Sequence, residues 1–158
     1  MRYVLVDQVT EVVPGSYATG IKCVTLTDEV LHDHFPDHPI LPGALITEGL
    51  AQLAGFLLEV SFNQGSNPTR RAVLVQIERM KFYEMTGPGE ALVMKAVIEQ
   101  TLTDAAQVSV EARVGEEVRA KGRITFAMMA IDSKNIANQR NDIYKIWMRK
   151  IKNPPVVR

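Results

Sequence analysis

His34-Phe35-Pro36-Asp37-His38-Pro39-Ile40-Leu41-Pro42 runs straight into Gly43-Ala44-Leu45-Ile46-Thr47-Glu48-Gly49-Leu50-Ala51-Gln52, and the second block stays largely apolar as far as Phe62. Prolines at 36, 39 and 42 forbid helix and impose a stiff, extended loop. Freed from proline at Gly43 or Ala44, the chain reads as one long helix to Phe62. Such a helix is apolar nearly all round, as expected at the centre of a soluble core. Its length also suits a membrane span. Yet it carries Glu48, Gln52 and Glu59, and a carboxylate at bilayer depth is costly. The core reading prevails.

Outward from this helix the pattern changes period. Arg2–Val13 and Ser16–Thr25 favour strands, with Pro14-Gly15 as the turn between them. Thr27-Asp28-Glu29 can cap a short helical turn before His32. Asn63–Pro68 is a break. Beyond it Ala72–Phe82, Ala91–Thr101, Ala106–Val114 and Val118–Met129 read as strands. Their separators, Gly87-Pro88-Gly89, Thr103-Asp104 and Gly115-Glu116, fit hairpins, which predicts an antiparallel meander. One helix-centred unit followed by paired strands is an α+β arrangement.

The chain has 158 residues, 46% hydrophobic and 23% charged, enough for one domain with a real core. A net charge of zero argues against nucleic acid as a partner. Charge is unevenly spread, however. Residues 132–158 hold seven Lys/Arg against Asp132 and Asp142. This is a basic appendage on an acidic body, which divides the chain into a domain of residues 1–131 and an extension of 132–158. Within the extension Ile143, Ile146, Trp147 and Ile151 repeat at helical spacing. Asp142 is a candidate start for that helix and Asn153-Pro154-Pro155 its stop. Cys23, the single cysteine, sits in an apolar run beside Ile21 and Val24 and reads as a buried, inert thiol in a reducing cytoplasm. Asp7 and Glu11 interrupt the stretch where a secretion signal needs an unbroken apolar core.

All three histidines, His32, His34 and His38, fall within seven residues. Spacing of this kind can hold a metal. Metal sites of that type draw further histidines from distant segments, and this chain has none left. The other reading pairs His34 with Glu48. A histidine on a rigid loop can act as a base near neutral pH. A glutamate in the second turn of an apolar helix is expected to hold its proton more tightly through desolvation, and so to act as an acid. Free N–H groups at the helix start, around Gly43, face whatever lies before them and suit an oxygen gaining negative charge. Base, acid and oxyanion donor are what elimination beside a thioester requires. The plain alternatives are a surface histidine for His34 and a helix entry for Gly43.

The stretch His34-Phe35-Pro36, Pro39 to Gly43 and Glu48 to Gln52 resembles the signature of the FabZ-type 3-hydroxyacyl-ACP dehydratases, down to the fourteen positions from histidine to glutamate. A weaker likeness runs through Lys81-Phe82, Gly87-Pro88-Gly89-Glu90 and Lys121–Phe126, covering roughly residues 1–130. The chain departs from the family pattern at Asp33 and at Asp37-His38, which add polar groups beside the loop. The resemblance implies a hotdog fold, a sheet wrapped around the central helix, with no metal and no organic cofactor. It implies His34 as base, Glu48 as acid, the Gly43 amide on the thioester carbonyl, and Gln52 orienting Glu48. Phe35 and Pro36 count among its substrate-binding positions. It further implies acyl carrier protein as partner and a homodimer, commonly a trimer of dimers, whose sites combine the histidine of one subunit with the glutamate of the other. A hotdog thioesterase and a non-catalytic carrier-binding subunit are the competing readings. The basic extension lies outside the family pattern. It either adds packing area or turns a basic face to an acidic carrier protein or to anionic lipid.

Overall fold

The structure, a computed structural model, describes residues 3–65 and 68–158. Arg2 of the expected first strand, and Ser66 and Asn67 of the expected break, lie outside the described residues. Six strands, β1 (Gln8–Val13), β2 (Tyr17–Cys23), β3 (Arg70–Phe82), β4 (Ala91–Thr101), β5 (Ala105–Val114) and β6 (Glu117–Ala130), form one antiparallel sheet. The helices are α1 (Val30–Asp33), α2 (Gly43–Phe62) and α3 (Lys134–Trp147). The sheet wraps around α2, which touches every strand. This is the expected hotdog architecture with an added C-terminal helix.

Proline chemistry sets the start of α2. Pro42 holds an extended backbone (φ −56°, ψ 135°), and the helix begins at the next residue. Leu50, Leu53, Phe56, Leu57 and Leu58 are fully enclosed, so the helix is apolar all round because sheet and α3 cover it. It is the one helix among the described residues long and apolar enough to cross a membrane, and most of it is buried inside the fold. The strands bury alternate residues. In β5, Ala106, Val108, Val110 and Ala112 face inward and their neighbours outward.

Three expectations need correction. The strands after the helix are not a simple meander, because the sheet order is β1-β2-β4-β5-β6-β3. β3 pairs with β6, while β4 pairs with β2, so Gly87-Pro88-Gly89 closes no hairpin. The segment between β3 and β4 instead crosses the end of the sheet: Tyr83 N–H donates to Arg119, and Gly89 N–H, in the left-handed region at φ 90°, donates to Val24. Hairpin chemistry is local, whereas the choice of partner for β3 is made by strands forty residues later.

Cys23 is exposed, not buried. Along β2 the inward positions are Ala18 and Gly20, continued by Val24, which puts Cys23 on the opposite face with Thr19. The period-two alternation overrides the apolar run. Finally, α3 starts well before Asp142. Ser133 is its N-cap, its hydroxyl accepting the Ile136 N–H at 3.4 Å. Trp147 is buried and Ile143 packs against the core, but Ile146 is 53% exposed and Ile151 lies past the helix end. Tyr144 and Met148 complete the buried face.

Candidate active site

His34 ends α1 at the edge of the proline loop, and the loop bonds to itself around it. Ile40 N–H donates to the His34 carbonyl at 2.8 Å, and His34 Nδ1 lies 3.0 Å from the Ile40 carbonyl. A carbonyl oxygen only accepts, so Nδ1 carries the hydrogen and Nε2 keeps its lone pair. Phe35 stacks on the imidazole at 4.5 Å, and Leu41 N–H reaches the Thr86 carbonyl at 2.7 Å. The His34 ring is therefore fixed by three short-range contacts and its loop is tied to the segment after β3. Phe35 and Pro36 lie exposed on the outside of the loop. His32 sits in α1 and His38 on the loop surface, and among the described residues no three His, Cys, Asp or Glu side chains converge as metal ligands would.

Gly43 opens α2, so its N–H has no carbonyl four residues back. A Cβ here would stand 2.9 Å from Phe82 Cε1, so the Phe82 ring packs directly over the Gly43 backbone. Gly43, His34, Ile46 and Phe82 share a cavity of about 350 Å³.

Glu48 lies one turn further on. Its Oε1 accepts from Gln52 Nε2 at 2.9 Å. Gln52 is in turn fixed by the N-terminal segment: its Oε1 accepts the Leu5 N–H at 2.9 Å, and Nε2 also reaches the Tyr3 carbonyl at 3.1 Å. The amide can hold Glu48 in only one orientation, because its own oxygen is already occupied. No cation pairs with Glu48 among the described residues. It faces a second cavity of about 430 Å³ with Ala44, Thr47, Met80 and Phe82.

The structure thus joins Gln52 to Glu48 and Gly43 to His34, but it does not bring His34 and Glu48 into one cavity. Phe82 borders both spaces and divides them. Its part in the site went unread in the sequence, although its aromatic ring at the end of an apolar strand was in view.

A further group was also unread. Glu59, three turns beyond Glu48, is 3% exposed. Its carboxylate takes a hydrogen bond from Arg71 Nη1 at 3.0 Å and from the Tyr144 hydroxyl at 3.0 Å, with Arg140 Nε at 3.5 Å. Burial, and then the facing Glu59 carboxylate, push the Tyr144 phenol well above its ordinary range, so it stays a donor. A second carboxylate in an apolar helix was the available signal; its partner 85 residues away was not.

Comparison with known proteins agrees with this layout. A family described as the FabA-like domain matches residues 1–124. The chain is 38% identical over 135 residues to the 3-hydroxyacyl-[acyl-carrier-protein] dehydratase FabZ of Acetivibrio thermocellus, covering 84% of this chain and 88% of that one. It is 34% identical to the protein of the same name from Clostridioides difficile, covering 80% and 87%. Among solved structures, the dehydratase heterocomplex ApeI:P of Xenorhabdus doucetiae superposes with a TM-score of 0.64 at 18% identity, covering 87% of this chain and 88% of that one, a likeness of fold.

Proposed function

The chain belongs to the FabA-like family alongside the FabZ dehydratases, and on that premise we propose that it removes water from (3R)-3-hydroxyacyl groups carried on acyl carrier protein, giving the trans-2-enoyl thioester. His34 Nε2 takes a proton from C2. The electron pair left behind forms the C2–C3 double bond as the C3–O bond breaks. Glu48 gives its proton to the departing hydroxyl, which leaves as water. The Gly43 N–H donates to the thioester oxygen while negative charge gathers there. A return of the proton from His34 to Glu48, through solvent, resets the pair.

The observation that carries this reading is how the two groups are held. His34 is anchored through Nδ1, so Nε2 is free to accept. Glu48 is held through Oε1 by the Gln52 amide and faces the cavity beside it, where a substrate hydroxyl can reach it. Residues 1–131 form the dehydratase unit in this proposal, with 132–158 as its extension. The compartment proposed with this activity is the cytoplasm, where a lone thiol stays reduced.

The same proposal includes a shared site. β3 is a thirteen-residue strand at the sheet's edge, paired only with β6, and Leu74, Val75 and Ile77 on it are exposed. A long, apolar, open edge is a template for pairing with another chain. Two copies joined along β3 would let the His34 cavity of one meet the Glu48 cavity of the other. Mixing His34→Ala and Glu48→Ala proteins tests both parts. After subunit exchange, verified by mass spectrometry, enoyl-ACP formation should return from a mixed dimer holding one intact site. Exchange without recovered turnover rejects the shared site, and release of free thiol in place of the enoyl product rejects dehydration.

A further inference from the structure

A third cavity, of about 510 Å³, runs along one stripe of α2 from Glu48 and Gln52 past Gly55 to Glu59. These residues stand at helical spacing, and eleven residues at helical rise place the two carboxylates about 16 Å apart. The middle of the stripe is cut from small residues. A Cβ built on Gly55 would come no nearer than 3.8 Å to Ala72, so this glycine answers no close backbone approach and leaves space. The far end is closed by α3, through Arg140, Ile143, Tyr144 and Trp147. That helix lies beyond residues 1–124, the part of the chain that matches the family.

The far end is polar in a particular way. Arg71 and Tyr144 both hydrogen-bond to Glu59, so that carboxylate is satisfied without help. Arg140 contributes a second guanidinium at 3.5 Å through Nε, which is buried and has no hydrogen-bond partner among the described residues, while its side chain is 42% exposed. Arg71 also donates to the Arg158 main-chain oxygen at 2.8 Å, while the Arg140 guanidinium keeps a buried, unanswered nitrogen at the end of a space that begins at the proposed acid. A saturated methyl terminus does not satisfy it. An oxygen acceptor does, and an anionic one best.

Resting on the dehydratase reading, we propose that α3 makes this cavity a closed acyl site and that its preferred substrates are 3-hydroxyacyl chains of bounded length ending in a carboxylate, held by Arg140. The test uses the full chain and 3-hydroxyacyl-ACPs of graded length, each ended by a methyl or by a carboxylate. At the length that first reaches Arg140, kcat/KM should favour the carboxylate by at least about tenfold, the worth of one charge-assisted hydrogen bond. Arg140→Gln should reduce that ratio towards one; Glu59 stays paired with Arg71 and Tyr144, so the fold is kept. Gly55→Val should lower the ratio of long-chain to short-chain turnover. Equal rates for both termini at every length, or an unchanged preference in Arg140→Gln, overturns the proposal.

Failure of the dehydratase reading is seen separately, as no turnover of even the shortest substrate. Binding still decides the present proposal in that event. Trp147 is the chain's only tryptophan and lines the cavity, so its fluorescence reports occupancy by saturated acyl-pantetheines with the two termini. Tighter binding of the carboxylate form, lost in Arg140→Gln, supports the site; equal binding rejects it.

Discussion

Glu48 and Glu59 lie on one helix and border one cavity, yet their surroundings are opposite. Glu48 is half-buried and, among the described residues, bonded by a single neutral donor, Gln52. Glu59 is enclosed and met by two guanidiniums and a phenol. Burial alone therefore does not mark a reactive carboxylate. What separates the two is the charge of their partners. Glu48, held at one oxygen by an amide beside a cavity, is placed to meet a ligand, whereas Glu59, locked against Arg71 and Tyr144, organises structure.

The largest effect should come from breaking the reactive end. His34→Ala and Glu48→Ala are each expected to lower dehydration by roughly two to four orders of magnitude, the usual worth of a positioned base or acid. Both variants should still fold, and Glu48→Ala should hold or raise the melting temperature. Near-normal turnover in either variant would reject the mechanism.

The structural end should respond in the reverse sense. Glu59→Ala leaves Arg71, itself 4% exposed, without its carboxylate, and removal of one partner of a buried pair costs about 3–5 kcal/mol. Urea titration should show that loss in Glu59→Ala and little change in Glu48→Ala. Should Glu59→Ala keep full stability while losing turnover, the contrast between the two glutamates collapses.

The smallest effect is the most specific. Tyr144→Phe removes one buried hydrogen bond, worth about 1 kcal/mol. The phenol is pushed up in the folded chain from its ordinary 10.0, so above that pH the unfolded chain releases the proton first and the folded state loses stability as pH rises. Below it the phenol is protonated in both states and contributes no slope. Alkaline melts should fall less steeply for Tyr144→Phe than for the parent chain. Parallel alkaline limbs would mean the phenol is less enclosed than described.

How legible these features were in the sequence follows from distance along the chain. The loop and helix from His34 to Gln52 read correctly because proline geometry and helical spacing act over a few residues. Gln52 bonds to Glu48, the pairing that the family resemblance implied, but its anchoring by Leu5 and Tyr3 depends on chain that folds back from more than forty residues away. β3 was read as a strand and misplaced in order, since turn residues say where a strand ends and not which strand it joins. Cys23 was misread because an apolar run was followed where alternation should have been. In the extension, the isoleucine spacing was seen while the Ser133 cap was passed over, and so was Tyr144, whose partner sits on another element.

The seal that Tyr144 and Arg140 place on Glu59 also bears on the timing of synthesis. During translation, α2 and the strands around it leave the ribosome well before residues 140–158. Until those residues follow, the base of the central helix holds a carboxylate answered by Arg71 and the Ala72 N–H but without the Tyr144 hydroxyl, and Phe56 lacks the two aromatic rings that pack against it. The family domain must wait, incompletely closed, for a segment that its own pattern does not contain. A nascent chain exposed as far as Ala130 but not beyond should therefore be protease-sensitive, and one that exposes the whole extension resistant. Glu59 and the extension depend on each other, because either without the other leaves a buried charge short of partners or a helix without its anchor.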